Sequence, residues 1–151
     1  MTDRLDRLVL TSMPHFIAKS YKEMLDASSY EGKVSAALRV FELSVRTMAM
    51  VVISQYLVRD YDEFSDFELN RLLETKLPKA TLDVWQQILF LGLRAYGGNR
   101  DLVFVEELYD FYWDTSVDPR VPRPGITTPF TRLTQISNQL EWGDKPVDEQ
   151  G

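Results

Sequence analysis

From Val34 to Val52 the residues Val34, Leu38, Phe41, Val45, Met48 and Val52 recur at alternating steps of four and three, which lays one apolar stripe along an α-helix. Carried on to Tyr56, the stripe predicts a helix of about seven turns. Ser28 with Glu31 three residues later has the form of a capping box and marks its start. A helix this long has to bury its stripe against other elements. No stretch of the chain alternates convincingly at strand period, so those elements are expected to be helices.

The flanking sequence supplies them. A short helix is expected over 3–10, and a second runs to about Ala27 with Pro14 early in it and Phe16, Ile17, Tyr21, Met24 and Leu25 at helical spacing. Ser65 with Glu68 repeats the capping box and opens a helix to about Lys76, which Pro78 stops. Thr81 caps a helix carrying Leu82, Trp85, Ile88, Leu89 and Leu93, ended by Gly97 and Gly98. Asn99 or Asp101 caps the next, with Leu102, Val105, Leu108, Tyr109, Tyr112 and Trp113 on its face. Residues 114–128 hold Pro119, Pro122, Pro124 and Gly125 and read as a loop. Thr128 as cap and Pro129 in the first turn then open a last helix bearing Phe130, Leu133, Ile136 and Leu140. The expectation is one all-α domain over 1–143, an antiparallel helical bundle of about six or seven helices. The polar tail 144–151 reads as a frayed end or a linker to a further region.

Composition sets the classes of function. Hydrophobic residues make up 44% of the 151 and charged residues 26%, so the chain is able to form a core and is not of the disordered type. The net charge of −6 lacks the basic footprint of a general nucleic-acid binder. There is no cysteine, which excludes disulfides, zinc-thiolate sites and cysteine nucleophiles, and the lone His15 excludes two-histidine metal sites. The N-terminus shows no charged start leading into an apolar run, and the most apolar window, 47–58, is too short to span a bilayer. A cytoplasmic protein with no membrane partner, no metal and no cofactor is expected.

Few residues offer chemistry. His15 follows a proline at a helix start, and no G-x-S-x-G elbow accompanies it. Glu106, Glu107, Asp62, Glu63 and Asp118 have neither an E-x-x-H partner nor calcium-loop spacing, and read as solvated charges. Gly97, Gly98, Asn99 and Arg100 lack the Lys-Ser or Lys-Thr of a phosphate loop. Tyr109, Phe111, Tyr112 and Trp113 have the rings of a base-stacking platform without interleaved cations, so packing or a protein interface is favoured. Arg39, Glu42 and Arg46 share another face of the long helix, with Glu42 and Arg46 in i,i+4 register. Two readings stand for that trio, an ion-paired surface and a polar functional site.

The strongest constellation is Ser137, Asn138, Gln139, Leu140, Glu141, Trp142 and Gly143. It resembles the terminal helix of HEPN-type domains, in which an arginine, usually followed by asparagine, precedes a histidine by four to six residues and a glycine often follows. Asn138, Leu140 and Gly143 sit where that pattern puts them, whereas Ser137 takes the arginine place and Trp142 the histidine place. The helix order is also similar to HEPN-related bacterial modules, and the resemblance covers about residues 14–143. A plain helix end with a glycine C-cap is the competing explanation.

RNA cleavage of the type this resemblance implies needs a group that titrates near neutrality and a fixed cation beside the developing phosphorane charge. Serine supplies no cation and tryptophan does not titrate near pH 7. Arg132, five residues before Ser137, does not rebuild the pair. The resemblance therefore implies a noncatalytic module for protein–protein interaction or homodimerisation, such as the regulatory N-terminal part of a larger bacterial signalling or defence protein. Because HEPN domains commonly pair through their motif-bearing helices, Trp142 becomes a candidate interface anchor with Ser137, Asn138 and Glu141 around it. The alternatives are a HEPN-type ribonuclease using other residues and a noncatalytic nucleic-acid-binding domain.

Overall fold

The computed structural model describes residues 2–58, 65–96, 102–114, 116 and 121–143, with backbone alone at 2, 3 and 140–143. It is an all-α bundle with seven α-helices among those residues. They are α1 (Thr2–Ser12), α2 (His15–Asp26), α3 (Tyr30–Val58), α4 (Phe67–Lys76), α5 (Leu82–Ala95), α6 (Glu106–Tyr112) and α7 (Pro124–Gly143). A 3₁₀ turn, Leu77–Lys79, joins α4 to α5, and a two-stranded antiparallel ribbon pairs β1 (Trp113–Asp114) with β2 (Val121–Pro122).

The long stripe is the axis of the molecule. α3 packs most extensively on α5 and on α2, while α1 lies chiefly on α2 and α4 on α5. Val45, Ala49, Val52, Ile53 and Tyr56 of α3 are buried against Leu82, Trp85, Ile88, Leu89 and Leu93 of α5, with Leu69 of α4 closing one side. Val34 and Leu38, at the start of the stripe, are only half-buried. The α3–α5 crossing depends on Gly92, where a Cβ would overlap Val52 Cγ1. Glycine lets the two backbones approach there at a cost in helix propensity of about 1 kcal/mol.

Both capping boxes are off by one residue. Ser29, not Ser28, caps α3, its Oγ accepting from Gly32 N at 3.0 Å. Asp66, not Ser65, caps α4, accepting from Leu69 N at 3.0 Å. In each case the neighbouring polar residue places its oxygen within reach of the third amide of the helix. α3 is 29 residues long and ends at Val58, and α1 extends to Ser12. Thr81 is the residue before α5 as expected, but its hydroxyl donates to Asp83 Oδ1 and caps no amide.

Two expectations fail for reasons in the tertiary structure. The helix anticipated from Asn99 or Asp101 begins only at Glu106. Gln55 on α3 donates to Leu102 O and accepts from Phe104 N at 2.7 Å, holding that backbone out of an α-helix. The proposed caps Asn99 and Asp101, and the pair Gly97 and Gly98, lie outside the described residues. The second failure is the loop assigned to 114–128. Arg123 N donates to Tyr112 O at 2.9 Å and its Nε donates to Trp113 O at 3.0 Å, which fastens β2 to β1. The Arg123 carbonyl then accepts from Ile126 N and Thr127 N, so α7 starts at Pro124. Pro129 thus lies inside the helix, where its missing N–H forgoes only the bond to the Gly125 carbonyl.

Candidate functional site

α7 is positioned by aromatic packing and one side-chain clamp. Phe130 meets Phe41 of α3 edge to face with ring centroids 4.9 Å apart, and Tyr112 of α6 at 5.5 Å. Gln86 Nε2 of α5 donates to Phe130 O at 3.2 Å. These contacts turn Phe130, Leu133, Thr134 and Ser137 inward and leave Thr128, Thr131, Arg132, Gln135 and Gln139 in solvent. Thr127, Thr128, Thr131, Arg132 and Gln135 border a shallow depression of about 340 Å³ on that outer face.

Ser137, at the arginine place of the resembling motif, is buried, and Asn138 is half-buried. The backbone of Glu141, Trp142 and Gly143 continues α7, and the side chains of Glu141 and Trp142 lie outside what the structure describes. A serine carries no charge to offer a phosphate, and this one is turned inward. The second candidate set does not form the expected i,i+4 pair: among the described residues the ion pairs belong to Arg94, at 2.9 Å from Asp66 and 2.6 Å from Glu68. Arg46 instead places its guanidinium carbon 5.3 Å from the centroid of the buried Trp85 ring, a cation–π contact across the α3–α5 junction. Arg39 is exposed and Glu42 half-buried, and no hydrogen bond among the described residues joins either of them to Ser137 or Asn138.

No protein-family model, no curated protein and no solved structure matches this chain.

The aromatic run resolves into packing. Trp113 stacks on Phe90 of α5 with centroids 4.9 Å apart, and Tyr109, Tyr112 and Trp113 are buried, leaving Phe111 half in solvent. Tyr112 Oη and Trp113 Nε1 are buried without a hydrogen-bond partner among the described residues. Burial pushes the Tyr112 hydroxyl far above the usual tyrosine range, so it stays protonated at any physiological pH. His15 is the exposed first residue of α2. No group of three metal-ligating side chains converges among the described residues, and no helix there is long and apolar enough to cross a membrane. Asp62, Glu63, Asp118 and Arg100 lie outside the described residues.

Two surfaces were not singled out by sequence. α1 and α2 leave Leu5, Leu8, Leu10, Met13, Phe16 and Leu25 substantially in solvent, although α1 has a strongly sided apolar pattern. The pattern is evident in the sequence; that α1 packs chiefly on α2, with those side chains uncovered among the described residues, is a property of the tertiary structure. The second is a depression between α4 and α5, bordered by the exposed Phe67. Its residues carry no motif, and only the crossing of the two helices brings them together.

Proposed function

We propose that this chain is a noncatalytic helical interaction module of HEPN-like descent, which pairs with a second copy of itself. The observation that carries the reading is the apolar surface of the α1–α2 hairpin, where Leu5 is 56% and Leu8 54% exposed and Met13 and Phe16 nearly as much. Several large apolar side chains left exposed on one helical hairpin support an association surface, and each one buried adds about 1.5–3 kcal/mol at most. The substitution of both motif residues, Ser137 for arginine and Trp142 for histidine, supports a binding role over nuclease chemistry. Trp142 is a further candidate anchor of the pairing, together with Asn138 and Glu141.

The test is solution mass as a function of concentration for the wild type, Leu5→Asp/Leu8→Asp and Trp142→Ala. The reading expects a dimer that the double aspartate variant dissociates while its helical circular dichroism is retained. Trp142→Ala should weaken the dimer as well; dissociation by Trp142→Ala with Leu5→Asp/Leu8→Asp still paired would move the interface to α7. A wild type monomeric at every concentration, or clear cleavage of RNA abolished by Asn138→Ala, would overturn it.

A further inference from the structure

The depression between α4 and α5 is separate from the hairpin surface and from the α7 motif. It consists of two hollows of about 490 and 760 Å³ that share Leu72, Thr75, Lys76 and Gln87. Leu72, Val84 and Leu91 contribute apolar side chains to its otherwise polar lining. Phe67, 78% exposed, borders the larger hollow, and Lys79 borders the smaller.

The charges of the rim are unbalanced. Arg71, Lys76 and Lys79 line the depression, as do the carboxylates of Glu68 and Asp83. Glu68 is occupied, bonded to Arg94 at 2.6 Å, and Asp83 accepts the Thr81 hydroxyl. None of the three cations is ion-paired among the described residues. Thus, among the described residues, a chain of net charge −6 gathers three cations without ion-pair partners against the carboxylates of Glu68 and Asp83, beside an exposed aromatic ring and apolar side chains.

We infer that this depression docks an acidic, apolar-anchored segment of a partner protein. The anchor side chain packs beside Phe67 over Leu72 and Leu91, and the acidic side chains meet Lys76 and Lys79. A nucleic-acid strand is disfavoured because the net charge of −6 opposes the approach of a long polyanion more strongly than that of a short segment with a few acidic side chains. Rim charges of this type set specificity and encounter rate, and the apolar anchor sets residence.

The probe is a fluorescein-labelled amphipathic helical peptide with leucine on one face and glutamate on the other, followed by anisotropy against the full chain. A matched peptide with lysine for glutamate and a labelled oligo-dT serve as competing arms. The glutamate peptide is expected to bind saturably and more weakly as salt rises. Lys76→Glu/Lys79→Glu, at exposed positions, should weaken it about tenfold or more, and Phe67→Ala should weaken it without changing its salt dependence. On the wild type, backbone amide shifts should move at Thr75 and Gln87. Leu5→Asp/Leu8→Asp should leave this binding intact, which separates failure here from failure of the pairing reading. Equal binding of both peptides, tighter binding of oligo-dT, no saturable binding, amide shifts elsewhere only, or indifference to the charge reversal would each overturn the inference.

Discussion

Single residues tie the bundle together at its ends. The Tyr56 hydroxyl accepts from Asp66 N at 2.8 Å and donates to Asn70 Oδ1 at 2.9 Å, so one side chain at the end of α3 orients the start of α4. Tyr56→Phe keeps the ring and removes both bonds, and should cost about 1–3 kcal/mol in denaturant unfolding. Arg46 and Glu42 are distinguished by the same measurement. Arg46→Ala loses the contact over Trp85, worth about 0.5–1 kcal/mol, whereas Glu42→Ala should fall within about 0.5 kcal/mol of wild type. Asp114 carries a pH dependence. The Ser116 hydroxyl at 2.6 Å and the Ser116 amide at 3.0 Å, helped by nearby Arg123, hold its carboxyl below the usual aspartate range. Folding therefore favours the charged form. Its contribution is complete above about pH 3.9, the unfolded value, and is lost as pH falls through the lower folded value. An NMR titration should show the Asp114 carbon shifts moving at lower pH than those of an unfolded peptide, and a coincident titration would contradict the turn.

At the scale of elements, helix existence was legible and helix ends were not. The stripe from Val34 to Val52 and the set Leu82, Trp85, Ile88, Leu89 and Leu93 predict α3 and α5 because their spacing is intrinsic to a helix face. The start of α6 depends on Gln55, far away in sequence, and the start of α7 on Arg123 binding Tyr112 and Trp113 across the ribbon. Local composition does not encode such contacts, so the prolines at 119, 122 and 124 read as a longer loop than the chain adopts. Gln55→Ala should release Leu102 and Phe104, and hydrogen exchange at Phe104 N should quicken while the α3–α5 core keeps its protection. Gly92→Ala tests the helix crossing. Its propensity gain of about 1 kcal/mol is opposed by overlap with Val52, and overpacking of about 1–3 kcal/mol should leave the variant less stable. Adding Val52→Ala should recover part of that loss.

For the whole molecule, the all-α bundle follows from patterning, while the candidate surfaces depend on which patterned faces stay uncovered. The resemblance of residues 137–143 rests on residue types alone; that Ser137 points inward was not legible in them, because Phe130, Gln86 and Phe41 set the roll of α7. The hairpin surface was half legible, its leucines evident and their exposure among the described residues not. The proposal is that the apolar and basic-rimmed surfaces this bundle exposes serve as binding surfaces. The central claim is that this binding includes a second copy of the chain. Sedimentation equilibrium over a wide concentration range tests it most directly: the account predicts a mass approaching twice that of one chain, reverting to one chain in Leu5→Asp/Leu8→Asp, and a wild-type mass of one chain throughout would contradict it.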